Sequence, residues 1–147
     1  MRLREQIPEL LGATYWINGD TTKEKLVGEN PTLIHFWSVS CYMCKEMMGE
    51  VNKLRDKYMK LNIVAVHIPL KTSDQDVDLI RSSAIAHNIT HSIYVDNAMR
   101  MKYAFGNNQV PAYYLFDKEG ELRHFQAGKS GMRILENRVN RLLNDLQ

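Results

Sequence analysis

The sequence predicts an α/β fold in three layers, α/β/α, with helices on both faces of a central mixed β-sheet. Two observations carry this. From residue 14 to about residue 105, short apolar runs alternate with segments of helical period, the pattern of parallel strands joined by crossover helices. Farther on, "PAYYLF" (111–116) and "ELRHFQA" (121–127) are separated only by the turn "DKEG", so they read as an antiparallel hairpin and make the sheet mixed.

In order, residues 14–17 (Thr-Tyr-Trp-Ile) form a short strand and "NGD" a turn. Thr21 and Glu24 stand at capping-box spacing, which places a short helix over 22–27. Pro31 opens "TLIHFW", a mostly apolar run bounded by turn residues, as expected of a strand buried on both faces. A helix starts near Cys41, with Met47, Val51, Leu54 and Tyr58 on one face. "NIVAVHI" (62–68) is a second buried strand. Ser73 and Asp76 resemble an N-cap pair for a helix whose apolar stripe is Val77, Ile80 and Ala84. "SIYVD" (92–96) is a strand and 97–105 a short helix. After the hairpin, Met132, Leu135, Val139, Leu142, Leu143 and Leu146 line one side of a final helix, while Arg133, Arg138 and Arg141 mostly sit elsewhere.

The chain has 147 residues, enough for one domain with a real core, and no repeat or linker divides it, so 1–147 is read as a single domain. Hydrophobic residues are 44% and charged residues 24%, with a net charge of +2. Such a balance gives no strong field for nucleic acid or an anionic membrane. No apolar window is long enough for a membrane helix. The basic start "MRLREQIPELL" lacks a secretory apolar region, which points to the cytoplasm. Two cysteines do not make a secreted disulfide scaffold, and in a reducing compartment a close pair is more often catalytic or metal-binding.

Both cysteines lie in "FWSVSCYMCKEMM". Cys41 follows a buried strand and opens a helix, where free backbone N–H groups and the helix dipole favour negative charge. Lys45, one turn on, adds to that. A free thiol of pKa about 8.5 is only about 3% thiolate at pH 7, so lowering it matters. Cys44, one turn later, turns inward. The i, i+3 separation allows the pair to close and open with little backbone movement. One exposed, ionised thiol beside a sheltered one can attack a target disulfide and then resolve the mixed disulfide. A structural zinc site needs about four ligands. Beyond the two cysteines only His35 is near in sequence, and it sits on a strand. Haem attachment needs a histidine after Cys44, where Lys45 stands. A static staple over so short a loop restricts the unfolded chain little.

With these residues in view, the chain resembles the thioredoxin superfamily, and within it the ResA/TlpA branch. "TLIHFWSVSCYMCK" matches the strand, C-x-x-C and helix pattern, Val110-Pro111 the family's cis-proline, and "VPAYYLFDKEGELRHFQAG" with "NRVNRLLN" extends the likeness over nearly the whole chain. The resemblance implies a thiol–disulfide oxidoreductase. Cys41 is then the nucleophile, Cys44 the resolving cysteine, and Pro111 with Val110 the segment that aligns the substrate backbone. It implies no bound cofactor or metal, disulfide-containing protein substrates, an upstream thiol reductant and a monomer. The chain departs from thioredoxin at four places. Tyr42-Met43 replaces Gly-Pro between the cysteines, Ser40 a tryptophan, His35 the buried aspartate thought to assist proton transfer, and Gly49 a helix-kinking proline.

His35 is read either as a base for Cys44 or as a hydrogen-bonded strand residue pointing elsewhere. Trp37 shields the disulfide or simply packs in the core. Met43 is a docking residue, whereas Met47 and Met48 pack the helix. His67, His91 and His124 are structural or exposed. "GKSG" (128–131) lacks the earlier glycine of a phosphate loop and is read as a loop. Two other functions stay open: a redox-sensing binding module with slow exchange, and a secreted ResA-like reductase serving cytochrome c maturation.

Overall fold

The computed structural model describes residues 1–145. Leu146, expected on the apolar side of the last helix, lies outside them. The elements are β1 (Tyr15–Ile17), α1 (Lys23–Leu26), β2 (Thr32–Trp37), α2 (Tyr42–Lys57), β3 (Asn62–His67), a 3₁₀ turn (Thr72–Gln75), α3 (Val77–Ala86), β4 (Ser92–Val95), α4 (Arg100–Phe105), β5 (Ala112–Phe116), β6 (Leu122–Ala127) and α5 (Met132–Asn144). The sheet has six strands in the order β1-β4-β3-β2-β5-β6. β2, β3 and β4 are parallel neighbours, and β1, β5 and β6 join antiparallel. The mixed three-layer sheet expected from the sequence is therefore present.

β2 and β3 are central because every other side chain has somewhere apolar to go. Leu33 and Trp37 of β2, Ile63 and Ala65 of β3, and Tyr113 and Leu115 of β5 face one layer. There they meet Cys44, Met48, Val51 and Leu54 of α2, Ile80 and Ala84 of α3, and Leu135, Val139 and Leu142 of α5. Ile34, Phe36, Val64, Val66, Tyr114 and Phe116 face the opposite layer, with Leu26 of α1 and Met101 and Phe105 of α4. All six residues of β2 are buried, as a run without polar alternation requires.

Three local readings change. The cap of α1 is Thr22, whose Oγ1 accepts from Lys25 N–H at 3.2 Å, and not Thr21. Asp76 itself caps α3, its carboxylate accepting from the N–H groups of Asp78 and Leu79, while Ser73 lies within the preceding 3₁₀ turn. Both shifts follow from where the backbone leaves the extended region, which side-chain spacing alone leaves open by a residue or more. The helix expected from 97 begins only at Arg100, because Asp96 accepts from the N–H groups of Met101 and Lys102 and Met99 sits in the left-handed region at φ 62°. No helix among the described residues is long and apolar enough to cross a membrane.

Candidate functional site

The C-terminal end of β2 delivers its chain directly to the start of α2, and the two cysteines stand at that junction. Cys41 is the N-cap residue: its backbone is extended (φ −95°, ψ 103°) and its Sγ accepts the Cys44 N–H at 3.1 Å. A helix start leaves N–H groups without intrahelical partners. Here sulfur takes the place that a serine or aspartate oxygen usually fills. Cys41 and Cys44 are joined as a disulfide with Cα atoms 5.3 Å apart, within the ordinary range for a bridge.

Cys44 is 1% exposed and Cys41 8%. Cys41 is thus less open than its place at a helix start suggests, because the Val110–Pro111 segment lies against it. The carbonyl oxygen of Val110 is 3.8 Å from Cys41 Sγ. The Val110–Pro111 peptide bond is cis. Tyr42 (76% exposed) and Met43 (41%) stand out from the surface between the thiols. Trp37 is buried and shares the apolar layer with both cysteines. Lys45 is half-buried, and no hydrogen bond or ion pair joins its ammonium to Cys41 among the described residues. A Cβ placed on Gly49 would meet open space.

His35 is buried, but its ring engages a different partner. Its Nε2 is 2.8 Å from His91 Nε2, and it stacks on Tyr113. The described residues contain no hydrogen bond between His35 and either cysteine. Burial, and then the neighbouring His91, push His35 well below the usual histidine range. Burial, and then Arg55, lower His91 to about 3. Both imidazoles are therefore neutral near pH 7. Arg55 Nη1, a pure donor, lies 3.5 Å from His91 Nδ1. That neighbour favours the proton on His91 Nε2, from which it is donated to His35.

Two further residues shape the segment before Cys41. His67, at the end of β3, is fully buried and its Nε2 accepts the Val39 N–H at 3.1 Å. A neutral imidazole that accepts at Nε2 carries its proton on Nδ1, and that atom has no partner among the described residues. Burial lowers His67 to about 4, against an upward pull from Asp74. Asp74 is 1% exposed, and its Oδ2 accepts from Ser40 Oγ (2.6 Å), Leu70 N (2.9 Å), Lys71 N (3.2 Å) and Ser38 Oγ (3.3 Å). Burial works to raise this carboxyl, but the hydrogen bonds from Ser40, Leu70, Lys71 and Ser38 outweigh it and hold it lowered.

From the sequence alone His67 reads as structural or exposed, and nothing singles out Asp74. No sequence signal joins Asp74 to Ser40 across 34 residues; only the closure of the sheet does. His124, in β6, pairs with Gln126 on its own strand.

The profile of the thioredoxin-like domain matches residues 19–140. Over its full length the chain is 55% identical to the thiol-disulfide oxidoreductase YkuV of Bacillus subtilis (strain 168), covering 100% of both chains. A solution structure of a thioredoxin-like protein in the oxidized form superposes with a TM-score of 0.91 at 55% identity, again covering 100% of both chains. A thiol-disulfide isomerase from Corynebacterium glutamicum shares the fold at a TM-score of 0.79, with 16% identity and coverage of 95% of this chain and 96% of that one.

Proposed function

The chain belongs to the thioredoxin-like domain family and is a thiol–disulfide oxidoreductase, and from that premise we propose how its residues divide the work. Cys41 is the attacking thiol. Its thiolate sulfur bonds one sulfur of a target disulfide, and the other target sulfur departs as a thiolate. Cys44 then attacks Cys41 Sγ, the mixed disulfide breaks, and the second target sulfur leaves. Two electrons pass from the cysteine pair to the target. The two protons lost by Cys41 and Cys44 are matched by two gained on the departing sulfurs, so the target ends as two thiols and the protein as the Cys41–Cys44 disulfide. An upstream thiol reductant restores the pair, and no bound cofactor enters the cycle.

One observation carries the assignment of roles: the Cys44 N–H points at Cys41 Sγ from 3.1 Å. A hydrogen bond to an anionic acceptor is stronger than to a neutral one, so this donor favours thiolate at Cys41 over Cys44. Cys44, sealed in the apolar layer, meets only a sulfur already attached to Cys41. Val110 and Pro111 align the target chain beside that sulfur, and Tyr42 and Met43 supply the apolar surface it meets. Lys45 and Ser40 act on the charge at Cys41, and Trp37 closes the site from below. The His35–His91 bond supports a tuning role for His35 through the packing under α2.

The substrates in this reading are protein disulfides, and the protein works as a monomer in the bacterial cytoplasm. Insulin reduction with dithiothreitol is the test. Cys41→Ser abolishes turnover, and Cys44→Ser accumulates a mixed disulfide. Full turnover by Cys41→Ser would overturn the assignment.

A further inference from the structure

We propose that Asp74 is a positioning residue that sets the acidity of the Cys41 thiol, with Ser40 as the donor that moderates its charge. The inference rests on Cys41 being the attacking thiol. It begins from an unusual concentration of donors: a single carboxylate oxygen, 34 residues along the chain from Ser40, accepts two hydroxyls from the segment before Cys41 and two N–H groups from the loop after β3. The carboxylate thus ties the segment before Cys41 to the loop after β3. It is sealed from solvent, so its charge is screened less than a surface charge.

The bond from Ser40 Oγ is the shortest of the four at 2.6 Å, and Ser40 is the residue immediately before Cys41. Ser40 is itself exposed, so this bond is not a by-product of burying the hydroxyl. The neighbouring backbone is fixed independently, by Val39 N–H on His67, by Cys41 N–H on the Ser38 carbonyl and by Ile68 N–H on the Trp37 carbonyl. Asp74 is therefore not the sole support of the segment, and a second role has room to show.

That role is electrostatic. The helix start and the Cys44 N–H favour a thiolate at Cys41, and a buried negative charge hydrogen-bonded to the preceding residue disfavours it. The other ionisable groups at this end of the molecule include Tyr42, Lys45 and Glu46 of α2, Lys129 paired to Glu46 at 3.0 Å, Lys71 beside Asp74, His67 on β3, which is neutral near pH 7, and Asp96 after β4, whose carboxylate is taken up by the N–H groups of Met101 and Lys102. Asp74 and Asp96 are both 1% exposed, and Asp74 is the one whose carboxylate bonds the residue before Cys41. Its four donors spread its charge and so limit, without cancelling, its effect on Cys41. Ser40, which replaces the apolar residue of thioredoxin, gains a purpose as one of these donors.

The test is the pH dependence of iodoacetamide alkylation in the full-length protein. It is carried out on the Cys44→Ser background, where Cys41 is the only thiol. If Cys41 in this background shows no titrating reactivity, the reading of Cys41 as nucleophile fails before Asp74 is touched. Asp74→Asn keeps the shape and removes the charge. The Cys41 acid constant is expected to rise by roughly 3–10-fold, so its midpoint falls. Ser40→Ala keeps the charge and removes its closest donor, so the midpoint rises. A purely structural tie predicts no shift, or shifts in one common direction. An Asp74→Asn midpoint that stays or rises overturns the proposal, as does a Ser40→Ala midpoint that stays or falls. Should Asp74→Asn fail to fold, the exposed Ser40→Ala variant decides alone on the same criterion.

Discussion

Lowering the pH from 7 to 5 is expected to destabilise this protein well before its carboxylates titrate, and His67 is the clearest cause. Its native value is lowered to about 4 from an ordinary 6.5, with burial the dominant reason. Between those values the unfolded chain binds a proton that the native state refuses. Stability is therefore fully present above about pH 6.5, declines as pH falls through it, and stops declining below the native value. At pH 5 the unfolded histidine is 1.5 units below its midpoint, which at about 1.36 kcal/mol per unit is a loss of ~2 kcal/mol. His91, lowered to about 3, loses ~2 kcal/mol over the same interval by the same arithmetic. His35 acts in the same direction, held low by its burial and then by the neighbouring His91 imidazole 2.8 Å away. Asp96, raised by burial, works oppositely but only near the carboxylate range. The two valued histidines together make a loss of ~4 kcal/mol, a large part of the 5–15 kcal/mol that holds an ordinary domain. Urea unfolding at pH 7 and pH 5 reads this directly, and His91→Gln should remove about 2 kcal/mol of the difference. A wild-type urea midpoint that is the same at both pH values would refute the reasoning. Protonation of native His67 also removes the acceptor for Val39 N–H, so the segment before Cys41 should lose amide-exchange protection as the pH falls to about 4.

Two further perturbations test the architecture. Phe105→Ala should cost about 3–5 kcal/mol in urea unfolding, since the ring is fully buried against Phe36, Tyr114 and Phe116, yet insulin reduction per folded molecule should be unchanged because that layer lies across the sheet from the cysteines. Gly120→Ala should lower stability by about 1–2 kcal/mol or more: its φ is +83° and an added Cβ would stand 2.8 Å from Val27 Cγ2; an unchanged melting temperature would contradict this.

Much of this fold was legible because its signals are local. The buried run "TLIHFW" left β2 nowhere but the middle of the sheet, and the period of Leu135, Val139 and Leu142 gave α5 its buried side. The C-x-x-C spacing gave the redox pair, since a helix start makes its own electrostatics. The rest of the site is assembled by tertiary closure. Asp74 reaches Ser40 only because β3 lies beside β2, and His35 meets His91 only because β4 lies beside β3. His35 shows the limit most clearly. Its alignment with a buried aspartate fixed the position, but the direction of the ring was set by His91, Tyr113 and Arg55.

In the proposed cycle Cys41 reacts first and Cys44 resolves. Reduced protein treated at pH 7 with less than one equivalent of iodoacetamide, then digested and mapped by mass spectrometry, tests it most directly. The label is expected on Cys41, with Cys44 unmodified. A label found first on Cys44 would contradict it.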